Sequence, residues 1–112
     1  MYDILRLLKN SGLFTSIELL KLVDEEVVRF IKIKAEVLDG SILFINEMHT
    51  ETYQKYSYHW QKSNGELIVR WDNKHHWLDL KTYPHHKHVG TQVLPCHRVS
   101  LEEVLQEIKN KQ

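Results

Sequence analysis

Apolar and charged residues alternate through residues 31–37, the clearest pattern in the chain. The apolar positions are Ile31, Ile33, Ala35 and Val37, and Lys32, Lys34 and Glu36 lie between them. A period of two is typical of a β-strand with one buried face. Asp39-Gly40 follows, a dipeptide that favours a tight two-residue turn, and Ser41 to His49 is then the returning strand of a hairpin.

A two-residue turn places Leu38 opposite Ser41, and the rest of the register follows by counting. On the core face the predicted pairs are Val37 with Ile42, Ala35 with Phe44, and Ile31 with Met48. The other face receives Lys32 opposite Glu47, an oppositely charged pair. The pattern therefore predicts an antiparallel hairpin with an apolar side and a polar side.

A second hairpin is predicted from residues 53–62 and 66–72, joined by Asn64-Gly65. Counting from Ser63 opposite Glu66 gives the remaining pairs: Lys62 with Leu67, Gln61 with Ile68, Trp60 with Val69, His59 with Arg70, Tyr58 with Trp71, and Ser57 with Asp72. Directly opposed residues have Cβ atoms about 4.5 to 5.5 Å apart. His59, Arg70 and Asp72 are therefore expected to share one face.

Helices are predicted at both ends of the chain. Residues 2–10 carry Asp3 in the first turn and Gly12 just beyond the end, and Ser100 with Glu103 forms a capping box before an apolar helical stripe. Residues 17–28 have no clear period and fit a strand or a short helix. The sequence predicts an α+β fold, an antiparallel meander of about four to six strands packed with an N-terminal and a C-terminal helix.

Length and charge narrow the class of protein. A chain of 112 residues fits one domain, predicted to span residues 1–112. Fifteen basic and fifteen acidic residues give a net charge of zero, so any nucleic-acid binding must be local. The lack of a membrane-length apolar run or leader pattern favours a cytoplasmic protein. A single cysteine, Cys96, excludes an internal disulfide and is expected to be a small hydrophobic side chain.

Eight histidines, several of them in the segment Pro84-His85-His86-Lys87-His88, are the strongest chemical signal. Pro84 favours an extended or turning loop, in which His86 and His88 point to one side and His85 and Lys87 to the other. Imidazoles with basic side chains suit acid–base cleavage of RNA, which needs no cofactor. The candidate catalytic residues are His86, His88, Asp72 and His59, and the candidate substrate-binding residues are Arg70, Lys87 and His85.

Three other interpretations of the histidines remain open at this stage. A divalent metal could be bound by imidazoles separated by one or two residues together with Asp72, although the spacing matches no stringent zinc signature. Simple phosphate binding needs only Lys87, Arg70 and donor imidazoles. The histidines could also be partly buried side chains that satisfy backbone carbonyls. A non-enzymatic module that binds a partner protein, nucleic acid or metal is therefore the alternative to a ribonuclease.

Several segments between about Phe30 and Ile108 together resemble the TumE-like toxins of prokaryotic toxin–antitoxin systems. These segments are Glu47-Met48-His49, Tyr58-His59-Trp60, Leu67 to Asn73, His75-His76, Pro84 to Gly90, and Ser100 to Leu105. Their most specific part is an Arg-x-Asp-Asn strand end combined with a Pro-His-His-Lys-His segment. The resemblance implies a small intracellular toxin neutralised by a cognate antitoxin, with RNA as the expected substrate. Exposed sheet edges leave homodimerisation as a further expectation.

Overall fold

The computed structural model describes residues 3–73 and 84–112. Within them seven antiparallel strands lie in chain order in one sheet, each paired with its neighbour in sequence. The elements are α1 (Ile4–Ser11), β1 (Phe14–Asp24), β2 (Val28–Val37), β3 (Ile42–Thr50), β4 (Gln54–Gln61), β5 (Leu67–Asp72), β6 (His86–Val89), β7 (Gln92–Pro95) and α2 (Leu101–Asn110). The predicted α+β class is confirmed, with more strands than expected because the histidine segment forms β6 instead of a loop.

Both helices begin at a residue that the sequence marks. The Asp3 carboxylate accepts a hydrogen bond from the Arg6 amide at 3.0 Å, and α1 ends at Gly12 with a left-handed φ of 72°. Ser100 and Glu103 form the predicted capping box at the start of α2. The apolar stripe of α2 is buried, as expected, and consists of Leu101, Val104, Leu105 and Ile108.

The two faces of the sheet have different environments. Both helices pack on one face, here called the inner face, and their apolar side chains join those of the strands in one core. The largest strand contributors to this core are Ile33, Leu43, Ile45, Trp60 and Trp71. The opposite face, here called the outer face, carries the alternate residues of each strand, and neither helix contributes to it. The candidate site lies on this outer face.

The ambiguous segment before β2 forms the edge strand β1. It pairs with β2 on one side only, and its register shifts between Leu19 and Lys21. Leu19, Leu20 and Leu22 are 42%, 43% and 54% exposed. The bulge breaks the two-residue period, which explains why this segment shows no clear pattern in the sequence. The homodimer expected from exposed edges stays a prediction.

The first hairpin has a three-residue turn, so its predicted register is wrong. The Val37 amide donates to the Ser41 carbonyl at 2.8 Å and the Gly40 amide to the Val37 carbonyl at 2.9 Å. Gly40 has φ of 89°, a conformation that places an extra residue in the turn and is easy only for glycine.

The longer turn reverses the two faces of β3. Leu43, Ile45 and Glu47 face the core, whereas Ile42, Phe44 and Met48, which were predicted there, lie on the outer face. Lys32 is opposite Asn46 and not Glu47. A one-residue slip has this effect because side chains alternate with a period of exactly two along a strand.

The second hairpin also has a three-residue turn, but a bulge restores the predicted register farther along the strands. The Lys62 amide bonds to the Glu66 carbonyl at 2.8 Å, so the predicted pair of Ser63 with Glu66 is wrong, and so is the pairing of residues 61 and 62. A bulge then places one extra residue of β5, Ile68, between the pairs Gln61–Leu67 and Trp60–Val69. This second shift cancels the first, and the predicted pairs from Trp60 onward are confirmed. His59 and Asp72 therefore occupy the face that the sequence predicts.

Candidate functional site

A continuous row of side chains crosses five strands on the outer face. Successive pairings of β2 to β6 connect Lys34, Phe44, His59, Arg70 and His88. The adjacent row connects Lys32, Asn46, Ser57, Asp72 and His86. Because neighbouring strands are about 4.8 Å apart, the basic, aromatic and acidic groups of these rows come together without any loop.

Asp72 is the centre of the site. Its carboxylate accepts a hydrogen bond from Arg70 Nε at 3.0 Å and lies 2.8 Å from His86 Nε2 and 3.6 Å from His88 Nε2. Asp72 is only 1% exposed. A buried carboxylate needs charged or hydrogen-bonding partners to offset its lost hydration, and Arg70 with the two imidazoles supplies them.

His86 is held on both sides of its ring. Its Nδ1 lies 3.0 Å from the Pro84 carbonyl oxygen and its Nε2 faces Asp72, while the residue is 2% exposed. One oxygen atom therefore lies at each nitrogen of the ring. His86 therefore fixes the orientation of Asp72 from inside the sheet rather than facing solvent.

Arg70 contacts Asp72 through Nε and His59 through a terminal nitrogen. A terminal guanidinium nitrogen of Arg70 lies 3.2 Å from His59 Nδ1. Because arginine can only donate hydrogen bonds, His59 Nδ1 is the acceptor. The hydrogen of the ring is then on His59 Nε2, which donates to the Gln61 side-chain oxygen at 3.0 Å. Burial lowers the pKa of His59, and the positive charge of Arg70 lowers it further, against the opposing effect of the Gln61 hydrogen bond. At neutral pH this ring is therefore neutral, with a lone pair on the nitrogen beside the guanidinium.

The sequence-predicted residues divide between the two faces of the sheet. His59, Arg70, Asp72, His86 and His88 come together on the outer face. His85 and Lys87 do not join them. Lys87 is opposite Trp71, a core residue, and the ring of His85 stacks on Tyr56 with its Nδ1 2.9 Å from the tyrosine hydroxyl. His75 and His76 lie outside the described residues.

The geometry also suits a metal ion at the same place. Asp72, His86 and His88 each offer one ligand atom, and these atoms lie within 4.8 Å of one another. Two imidazoles and a carboxylate form a common ligand set for divalent transition metals. The contact of His86 Nδ1 with a backbone carbonyl is typical of a histidine that binds metal through its other nitrogen.

A second polar group, which the sequence did not reveal, lies on the inner face. Glu47, 3% exposed, accepts a hydrogen bond from the Tyr58 hydroxyl at 2.7 Å and lies 3.2 Å from His49 Nε2. The Gln54 side-chain amide, oriented by Arg98, lies 2.7 Å from His49 Nδ1. The incorrect register of β3 had placed Glu47 on the other face, so only correct counting of the turn would have found it.

Cys96 has the character expected from the sequence. It packs against the core, and burial raises the pKa of its thiol. A thiol with a raised pKa holds little thiolate at neutral pH and is a poor nucleophile. Cys96 is therefore not a candidate nucleophile.

The comparisons with known proteins place the chain in a family. No helix of the described residues has the length and apolar character needed to cross a membrane. No curated protein and no solved structure matches the chain. The family model described as toxin TumE matches residues 4–112, almost the entire sequence. The chain therefore belongs to the TumE toxin family, as the toxin of a toxin–antitoxin system with an antitoxin as its partner.

Proposed function

We propose that this toxin acts in the cytoplasm by cleaving RNA at the outer-face site, with His59 and His88 on either side of Arg70. The observation that carries the proposal is the cross-strand row His59, Arg70 and His88, in which a guanidinium lies between two imidazoles. Arginine binds phosphate oxygens with two parallel hydrogen bonds. A phosphodiester held by Arg70 therefore has an imidazole available on each side.

In this proposal His59 is the general base. Its lowered pKa, caused by burial and by Arg70, leaves it neutral at physiological pH, as a base must be. Its acceptor nitrogen lies beside the guanidinium that would bind the phosphate. When substrate displaces the Arg70 contact, this nitrogen becomes available to a ribose 2′-hydroxyl next to that phosphate.

His88 is the proposed general acid. It is opposite Arg70 in the sheet, and the Asp72 carboxylate 3.6 Å from its Nε2 supplies a counter-charge for the protonated ring. Its side chain is 25% exposed, whereas that of His86 is 2% exposed with both nitrogens facing oxygens. The proposal accordingly gives His86 and Asp72 positioning roles, and it does not use His85 or Lys87.

The proposed step balances within the substrate. The 2′-oxygen gives its proton to His59 and bonds to the adjacent phosphorus, the bond from phosphorus to the 5′-oxygen breaks, and His88 protonates that oxygen. The products are a 2′,3′-cyclic phosphate and a 5′-hydroxyl end. Arg70 stabilises the negative charge that develops on the phosphorane oxygens, which is commonly a large contribution to such catalysis.

Cleavage by the purified full-length chain tests the proposal, with end mapping of total cellular RNA as the assay. We expect His59→Ala and His88→Ala each to reduce the rate about 10²- to 10⁴-fold, the range of general acid–base catalysis. His97→Ala, an exposed histidine outside the site, is the matched control and should retain full activity. The acidic limb of the rate profile should lie below pH 6.5, because the pKa of His59 is lowered. A double variant at residues 59 and 88 that still cleaves RNA at the wild-type rate would refute the assignment.

A metal-assisted reaction is the second candidate, favoured by the clustering of Asp72, His86 and His88 ligand atoms. If a divalent ion supplies the chemistry, a chelator abolishes cleavage and His86→Ala lowers both activity and thermal stability. Acid–base cleavage predicts that activity persists in chelator. Stability with and without zinc or manganese gives an independent measure of binding.

A non-enzymatic toxin is the remaining alternative, and growth assays separate it from both enzymes. Expression of the chain alone should slow growth, and co-expression of the neighbouring gene product should restore it. If the toxin is an enzyme of the proposed kind, His88→Ala removes toxicity while the folded protein still binds the antitoxin. Toxicity that persists in the folded double variant at residues 59 and 88 would favour an interaction module.

A further inference from the structure

The outer face concentrates basic side chains in a protein whose net charge is zero. Four lysines lie on it, and none forms a salt bridge within the described part of the chain. They are Lys21, Lys32, Lys34 and Lys55. Arg70 adds a fifth cation. Among the described residues, the acids on this face are Glu18, opposite Lys34 in the pairing of β1 with β2, Glu36, two residues after Lys34 on β2, and Asp72, which is buried and surrounded by its partners.

A cleft of about 270 Å³ opens beside the candidate site. Its outer-face lining is formed by Phe30, Asn46, Met48, Lys55, Ser57 and Arg70. An apolar cavity of about 150 Å³ holds one benzene ring, so the cleft has room for one nucleobase. It offers an aromatic ring and a thioether as apolar walls, and an amide and a hydroxyl as hydrogen-bonding groups.

Arg70 belongs both to the cleft and to the proposed reaction site. A nucleotide whose phosphate lies on Arg70 therefore places an adjacent base at the mouth of the cleft. Phe44 extends the aromatic surface on the same row, with its ring centroid 6.1 Å from that of His59. Lys34, opposite Phe44, and Lys32, opposite Asn46, continue the basic path toward β1.

We propose that the outer face binds single-stranded RNA, with one base in the Phe30–Met48 cleft, a second stacked on Phe44, and flanking phosphates on Lys32 and Lys34. This inference rests on the proposed function and names its substrate class. From β2 to β6 the face spans four strand intervals, roughly 19 Å, which is enough for a few nucleotides. Stacking on side chains requires unpaired bases, so an open single strand fits and a duplex does not.

Fluorescence anisotropy with a labelled 2′-O-methyl dodecauridylate tests the proposal without cleavage, because the methyl group blocks the attacking hydroxyl. The variant K32Q/K34Q removes two proposed phosphate contacts. We expect about tenfold weaker binding and a salt slope, log K against log [salt], shallower by about 1.4, since each single-strand contact contributes about 0.7. The matched control K9Q/K109Q makes the same charge change on exposed positions of the helices and should bind like the wild type.

A separate variant tests whether a base stacks on Phe44. Phe44→Leu keeps an apolar side chain on the outer face but removes the aromatic ring. We expect about 5- to 150-fold weaker binding, the range measured for loss of one stacked base. Circular dichroism and the unfolding midpoint of the same samples verify that the fold is retained. Val93→Leu, an apolar change beyond β6 on the same face, should leave RNA binding unchanged.

Each outcome bears on one claim. Equal salt slopes for K32Q/K34Q and K9Q/K109Q would overturn the RNA path, and so would equal affinity for the single strand and its duplex with 2′-O-methyl dodecaadenylate. If K32Q/K34Q binds RNA normally but escapes neutralisation by the antitoxin, the face is an antitoxin-docking surface and the proposal is wrong. RNA binding with the expected slopes but no cleavage of unmodified RNA supports this inference and refutes only the proposed function.

Discussion

The substitution Asp72→Asn tests whether one buried carboxylate holds the site together. It keeps the shape of the side chain but removes the charge that Arg70 Nε meets at 3.0 Å and His86 Nε2 at 2.8 Å. His86 is 2% exposed and cannot recover hydration. Removing one member of a buried charged group costs about 3–5 kcal/mol, and the remaining amide oxygen can still accept one hydrogen bond. We expect a loss of about 3 kcal/mol in the free energy of unfolding.

Urea unfolding followed by tryptophan fluorescence measures this loss directly. Trp60 and Trp71 are both 2% exposed and change environment on unfolding. Domains of this size have unfolding free energies of about 5–15 kcal/mol, so a change of 3 kcal/mol is easily resolved. The midpoint should fall while the slope with urea stays constant, because the surface exposed on unfolding is unchanged.

An exposed ion pair provides the matched control for the buried one. Glu66 lies 3.4 Å from the Lys62 ammonium, with both side chains about 60% exposed, and Glu66→Gln should cost below about 1 kcal/mol. If Asp72→Asn costs no more than Glu66→Gln, Asp72 does not stabilise Arg70 and the imidazoles around it. The positioning role given to Asp72 and His86 would then be abandoned.

Three further predictions concern single contacts. Ser100→Ala removes the cap of α2 and should lower stability by about 1 kcal/mol in urea unfolding, whereas an unchanged midpoint would mean that the capping box contributes nothing. Gly65→Ala forces a side chain into φ of 92° and should cost about 1 kcal/mol or more; a stabilised variant would contradict the three-residue turn. Because the pKa of His59 is lowered in the folded state, the unfolded chain binds the extra proton, and stability falls as pH drops below 6.5. His59→Gln should weaken that decline, and an unaltered pH profile would refute the cause.

The sequence was most informative where the signals are local. Gly12 and the capping box of Ser100 with Glu103 act within one helical turn, so they predict the end of α1 and the start of α2 correctly, whereas Asp3, predicted inside the first turn, is the N-cap of α1. Alternation of apolar residues identifies β2 because one face of that strand is buried against the helices. The pairing of His59 with Arg70 was predicted correctly, although only because an unforeseen bulge at Ile68 cancelled the error at the turn.

Tertiary structure decided the features that depend on contacts between strands. The dipeptides Asp-Gly and Asn-Gly each permit a turn of two or of three residues. Only the burial of Leu43 and Ile45 selects the longer turn after β2. His86 and His88 join Asp72 because β6 pairs with β5, a contact between segments 14 residues apart that no local pattern specifies. The sequence therefore identified the candidate residues of the site. Strand pairing decided which of them meet on the open face of the sheet and which, like Lys87, face the core.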